Sequence, residues 1–426
     1  MLILYSGILV LFSLLSSPYF LIKGKLHKEI LSRFYIKKGV FKTLKTEKRI
    51  WIHGASVGEI SASKPLIKDI NKNYPRYRLV ISTITKAGNI LARNITKGDE
   101  IVIYFPFDLR FIVESFLDRL KPDLFILLET EIWPNFIYAC EQRNIPILLL
   151  NGRISNRAFR RYLLVKNLLR PILDKIDLFC MQDEENKSRI LKLGAHKSKV
   201  FVTGNMKFDI ELDKNFKSEK ADVIREYLKA KNARLIVAGS THPKEEQMLL
   251  EVFKRLKSEY PSLFFLIAPR HIERSTSVQK EAFRYGFKTE FYSRLDTKLI
   301  IGVDIIILDV IGELRYLYGL SDIVFIGGSL IPHGGQNPIE PAFFGKPVLF
   351  GPYMDNFEEI SKRFLSLNGA LQVKNQEELF KELSGLLKDP QRMRHMGDNA
   401  RRVVDSNAGV RNKIINLINP YLIQTH

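Results

Sequence analysis

Only two cysteines, Cys140 and Cys180, occur in the 426 residues, too few for a disulfide framework or a cysteine-based zinc site. That scarcity suits a reducing compartment. Other absences narrow the chemistry. There is no Walker A sequence and no strand-linked Gly-x-Gly-x-x-Gly, which argues against a P-loop ATPase and a dinucleotide oxidoreductase. Asp-x-Asp, His-Glu-x-x-His and Cys-x-x-Cys are missing too, so no tightly held metal and no cofactor is expected. Internal repeats and low-complexity tracts are lacking as well.

Length, apolarity and positive charge are what remain. At roughly 150 residues per domain, the chain has room for two or three domains with ample cores. Its 66 Lys and Arg against 46 Asp and Glu give a formal charge of +20, with 46% hydrophobic and 26% charged residues. That mixture is too apolar for a disordered chain, and its cation excess suits anionic partners. Neither a nucleic-acid motif nor interleaved stacking aromatics accompany the charge, so nucleic acid is not the expected partner. A membrane-bound nucleic-acid binder stays a remote alternative.

No charged side chain occurs from Met1 to Ile22, a run about as long as a helix that crosses a bilayer core. Ser13, Ser16, Ser17 and Pro18 weaken it, so a helix lying in the interface stays open, as does a buried core helix. Between Lys23 and Arg49 there are ten Lys or Arg against Glu29 and Glu47, which puts the body of the chain on the cytoplasmic side. Residues 1–22 are therefore expected to form an N-terminal membrane anchor, with a flank that attracts anionic lipid.

Beyond the flank, short β-rich runs alternate with helical stretches. Strands are predicted at 49–53, 78–82, 101–104, 124–128, 145–150, 178–181 and 200–203, then at 234–238, 263–268, 305–308, 323–326 and 347–350. This α/β pattern predicts two Rossmann-like, doubly wound domains facing a cleft, with ligands at the carboxyl ends of the strands. The expected limits are 23–205 and 221–408, with a linker at 206–220 and a final helix in 409–426 returning towards the first domain.

Candidate residues cluster where strands end. The first strand runs into His53-Gly54-Ala55-Ser56-Val57-Gly58-Glu59 and then a helical stretch. Glu59 at the helix start suits a base that accepts a hydroxyl proton, or a structural acid complementing the helix dipole, which favours its ionised form. Alternation sends Glu129 and Glu131 to the same side, where they can share a proton or a hydroxyl-rich ligand, or serve as caps. From Asn151 to Leu173 there are six cations and no acid. If that stretch is helical, Arg153, Arg157 and Arg160 share one face, fitting a phosphate-bearing partner, a lipid surface or plain solvent.

In the second half, Gly239-Ser240-Thr241-His242 is a polar loop whose N–H groups suit a phosphate. Arg270 and His271 end the next strand and offer a fork donor for phosphate or carboxylate. Gly327-Gly328-Ser329 is followed by Gly334-Gly335-Gln336-Asn337-Pro338-Ile339-Glu340. Asn337 is expected to cap a helix beginning at Pro338, with Glu340 one turn in to bind ribose hydroxyls. Leaving-group charge then falls to Arg270 and helix N-termini.

Taken as an ordered set, the segments at 53–59, 129–135, 239–242, 268–271 and 334–340 resemble the Kdo (3-deoxy-D-manno-octulosonic acid) transferases of Gram-negative lipopolysaccharide synthesis. The resemblance runs from the N-terminal anchor to the final helix. It implies a GT-B glycosyltransferase with an acceptor-binding N-terminal domain and a C-terminal domain for CMP-Kdo. It implies inverting transfer to lipid A precursor at the inner membrane, with Glu59 as general base and Glu129 and Glu131 beside it. On the donor side it implies Ser240, Thr241, Arg270, Asn337 and Glu340, to which the reading above adds His271 and Gly328. Another GT-B lipid glycosyltransferase using a UDP-sugar is the nearer alternative.

Overall fold

The computed structural model describes residues 5–7, 9–11, 31–36, 48–96, 100–210, 218–297 and 300–423. The chain divides into two compact units, one of Met1–Asp209 with Gly409–His426, the other of Ile210–Ala408.

The first unit is built on seven parallel strands, β1 (Lys48–His53), β2 (Tyr77–Thr83), β3 (Ile101–Tyr104), β4 (Leu124–Leu128), β5 (Ile147–Gly152), β6 (Leu178–Met181) and β7 (Val200–Val202). Their order is β3-β2-β1-β4-β5-β6-β7, which reverses between β1 and β4. Such a sheet needs strands apolar on both faces, and Ile-Trp-Ile in β1 and Leu-Phe-Ile-Leu-Leu in β4 are fully buried. On one face Trp51, Phe105, Phe125 and Phe136 form an aromatic core, with Trp51 edge-on to Phe136 at 5.0 Å and Phe125 at 4.4 Å from Phe136. On the other, Ile50, Ile52, Leu124 and Ile126 pack in a cluster with Val410, Ile414, Ile418 and Leu422 of the last helix, Val410–Ile423. The Asp209 carboxylate seats that helix by accepting the N–H of Gly409 at 2.9 Å and that of Arg411.

The second unit repeats the architecture with β8 (Leu235–Thr241), β9 (Phe264–Pro269), β10 (Thr289–Phe291), β11 (Ile305–Ile307), β12 (Ile323–Ile326), β13 (Val348–Phe350) and β14 (Ala370–Gln372). All pairings are parallel in the order β10-β11-β9-β8-β12-β13-β14, reversing between β8 and β12. Strands β10 and β14 are absent from the sequence prediction. Both are three-residue edge strands that are not fully buried, so they carry no apolar run.

One expectation changes. The stretch 206–220 is not linker throughout: Met206 and Phe208 are buried in the first unit, and a helix, Glu219–Lys231, is under way by its end. Most of the expected anchor, 1–22, and of its basic flank lies outside the described residues. What is described of it packs on the first unit, with the Tyr5 hydroxyl bonded to Asp108 and Ser6 Oγ accepting from Asn135 Nδ2 at 3.0 Å. Among the described residues no helix is long and apolar enough to cross a membrane.

Removing the Asp209 carboxylate leaves two N–H groups at the start of the last helix without their acceptor. Asp209→Ala should therefore cost about 1–2 kcal/mol, measured as a lower urea midpoint at unchanged m-value.

Candidate active site

The chain leaves β1 through Gly54, where even a methyl group would sit 3.0 Å from Ile60 and Leu128 side-chain carbons. Ser56 caps the helix Val57–Asn73, accepting from the N–H of Glu59. The Glu59 carboxylate reaches back, accepting from Ala55 N–H and from Ser56 Oγ, both at 2.7 Å. This is a variant of the capping box, with the N–H of the residue before the cap as donor, so the structural use of Glu59 is real. Yet Glu59 is only 8% exposed, and burial pushes its pKa up to about 7. The Ser56 and Ala55 hydrogen bonds oppose that rise, while the carboxylates of Glu129 and Glu131 reinforce it. The helix dipole was expected to hold Glu59 firmly ionised; burial outweighs it, leaving a carboxylate balanced near neutrality.

Glu129 and Glu131 come together by another route than strand alternation. β4 ends at Leu128, and Glu129 has φ +55°, so the chain turns there. The Glu129 N–H still donates to Leu150 O at 2.9 Å, extending the ladder by one bond. Thr130 Oγ1 donates to Arg153 O and accepts from Arg153 N–H, fastening the turn to the end of β5. Burial and the Glu129 charge raise the pKa of Glu131, and the Arg33 guanidinium partly offsets them. Arg33 is held by donating from Nε to Phe105 O at 2.9 Å. Behind it His53 is fully buried and stacked 3.8 Å from Phe105, and burial lowers its pKa to about 3, so it is neutral.

The three arginines do not share a helical face. The helix begins at Asn156, capped by Ser155, so Arg153 belongs to the Thr130 turn. Arg157 and Arg160 lie exposed on Asn156–Leu164, which ends at Val165 before a second helix, Lys166–Leu173. Leu163, Leu164 and Leu168 are exposed beside these cations.

In the second unit the side chains at the carboxyl ends of β8, β9 and β12 bind mostly to one another. Thr241 is fully buried and donates to Glu246 Oε1 at 3.0 Å, and Glu246 also receives both terminal nitrogens of Arg274 at 2.8 and 2.7 Å. Thr241 is therefore not free for a ligand. The Gly328 N–H is also taken, at 2.7 Å, by Glu245. Ser240, at φ +57°, is half-exposed at the end of β8, and Arg270 and His271 are exposed at the end of β9. His271 meets His242 edge-on at 6.3 Å, and His242 stacks on His333 at 4.3 Å. Burial, then His333, His271, Arg270 and Arg274, lower the His242 pKa to about 4. Asn337 does not stand at the cap: the helix starts at Ile339 and runs only to Phe343, so Pro338 holds the cap position, and Asn337 Oδ1 accepts the Ile339 N–H at 3.0 Å from one residue before it. Glu340 is half-buried, its pKa raised by burial and restrained by Arg315 and Asn337.

Sequence reading did not assign Arg33, Asp108, Glu245, Glu246, Arg274 or His333 to the site. The adjacent acids at 245–246 looked like an ordinary helix start; the signal available was that only the two-residue turn Pro243-Lys244 separates them from Gly-Ser-Thr-His.

Two seven-stranded parallel sheets with these reversals define a GT-B fold, shared by glycosyltransferases and sugar-nucleotide epimerases. The UDP-GlcNAc 2-epimerase of Neisseria meningitidis, solved with UDP-GlcNAc, superposes with a TM-score of 0.57 at 14% identity, covering 88% of this chain and 100% of that one. Residues 28–210 match the family described as 3-deoxy-D-manno-octulosonic-acid transferase (kdotransferase), and 218–403 match glycosyl transferases group 1. A 3-deoxy-D-manno-octulosonic acid transferase of Haemophilus influenzae is 35% identical over 88% of this chain and 87% of its own length. A bifunctional glycosyltransferase/methyltransferase of Fusobacterium nucleatum is 40% identical over 80% of the chain, which spans 53% of that larger protein. The chain belongs to the Kdo transferase family of glycosyltransferases.

The buried Glu246–Arg274 pair gives a direct check. Arg274→Ala should destabilise the protein by about 2–3 kcal/mol, because a buried carboxylate loses its cation. Adding Glu246→Gln should recover part of that loss in urea denaturation.

Proposed function

We propose that the enzyme transfers Kdo from CMP-Kdo to a hydroxyl of lipid A precursor, with inversion, and that Glu59 is the general base. The observation that carries this reading is a carboxylate buried at the end of β1 beside Glu129 and Glu131, its pKa pushed up to about 7 by that burial. Glu59 holds only two hydrogen bonds in capping, and an ionised carboxylate has room to accept another from a substrate hydroxyl. As that proton moves to Glu59, the hydroxyl oxygen attacks the anomeric carbon from the side opposite CMP. The bond from that carbon to the phosphate oxygen breaks, its electron pair leaving with CMP. Glu129 and Glu131 raise the proton affinity of the base and offer acceptors to the sugar hydroxyls.

The donor is assigned to the second unit. Exposed Arg270 and His271 suit its phosphate and carboxylate, and Ser240 lies beside them at the end of β8. Asn337 and Glu340 line the same unit and suit donor hydroxyls. Gly328 serves as a close-packing position, since a methyl group there would meet His242 at 3.1 Å. Arg157 and Arg160, next to exposed leucines, suit the acceptor's phosphates or an anionic bilayer surface. Together with the uncharged N-terminal run, they support a place at the cytoplasmic face of the inner membrane.

Glu59→Gln should lower kcat by about a hundredfold or more while CMP binding stays near wild type. Normal turnover by that variant would end the base assignment. The wild-type rate should fall tenfold per pH unit below about 7 and level off above it, because the ionised form is the active one. Reversing the charge at Arg157 and Arg160 should raise the KM for lipid far more than that for CMP-Kdo. The mass of the product formed from lipid A precursor identifies the sugar transferred.

A further inference from the structure

Between β12 and the turn that follows, Gly328 takes φ +67° and three successive N–H groups, those of Gly328, Ser329 and Leu330, converge. Such a nest is a ready receptor for a ligand's phosphate or carboxylate. Here the chain fills it with its own anion. Glu245 Oε2 accepts from Gly328 N–H at 2.7 Å, and Oε1 accepts from Ser329 and Leu330 N–H at 3.1 and 3.0 Å. Oε2 also accepts from His242 N–H at 3.3 Å, and the residue is wholly buried. One carboxylate, at the start of the helix Glu245–Glu259, therefore joins the segment 240–244, which ends β8 and turns into that helix, to the loop 327–335 after β12. The stacked rings of His242 and His333 join the same two loops on their outer side.

We propose that Glu245 is a positioning residue for the sugar-nucleotide donor: an internal anion that occupies the N–H nest at 328–330 and holds the Ser240–His242 loop against the Gly328–His333 loop. The donor phosphate is thereby excluded from the nest and directed to side chains such as Arg270 and His271. This rests on the assignment of the donor to the second unit. Because the nest recognises a carboxylate and not a particular side chain, a small free carboxylate can take its place once the side chain is removed.

The experiment compares Glu245→Ala with wild type in steady-state kinetics, with formate as the probe and chloride at equal ionic strength as control. The expected result is a donor KM raised about tenfold or more with the lipid KM unchanged, as loss of loop positioning on the donor side requires. Formate should restore the donor KM at least in part, and chloride should not. A folded variant with wild-type donor KM, or a raised KM that formate leaves untouched, overturns the proposal. Should Glu245→Ala fail to fold, Glu245→Asp keeps the charge but withdraws it by one methylene. It should raise donor KM with little change in melting temperature, and a wild-type KM overturns the proposal equally. Arg270→Ala separates the underlying assignment: if it leaves CMP affinity unchanged, the donor reading itself has failed.

Discussion

Placing one carboxylate at the first turn of a helix, out of water and beside two other acids, is the constraint on which the chemistry proposed for the first unit depends. Capping demands an ionised Glu59, since Ala55 N–H and the Ser56 hydroxyl both donate to it. Burial and the charges of Glu129 and Glu131 resist ionisation. The opposition leaves the proton balanced near neutral pH, which neither influence alone achieves. Gly54 lets the chain pass close to the side chains of Ile60 and Leu128, and the positive φ at Glu129 brings the second acid round after β4 has ended.

The second unit uses acids differently. Glu245 and Glu246 sit within it as fasteners, one across four N–H groups and the other between Thr241 and Arg274. They occupy the inner N–H groups and the Arg274 guanidinium and leave Arg270 and His271 facing solvent. In the proposed reading, a dianionic nucleotide product is better matched by an exposed fork donor such as Arg270 than by a sealed nest, because it must also leave.

Much of this architecture was legible in the sequence because parallel strands are apolar on both faces: β3, β4, β6 and β12 have the predicted limits. Edge strands β10 and β14 were not, being short and only partly covered. Motif positions were legible too, but motif roles were less so. Thr241 and Gly328 looked available to a ligand, and only the fold shows that Glu246 and Glu245, each a few residues beyond β8, engage them. Arg153 looked like a helix residue because spacing alone does not reveal that Ser155 starts the helix. The pKa of Glu59 was invisible, since its burial, and the approach of Glu129 and Glu131 from 70 or more positions away, arise only once β1 and β4 pair.

The most direct measurement is the titration of the Glu59 carboxyl itself, followed through its side-chain carboxyl carbon by NMR with Glu59→Gln used for assignment. The account predicts a midpoint near 7 that moves down when Glu129 and Glu131 are both changed to Gln. A midpoint in the ordinary glutamate range, around 4.3, and indifferent to those two residues would contradict it.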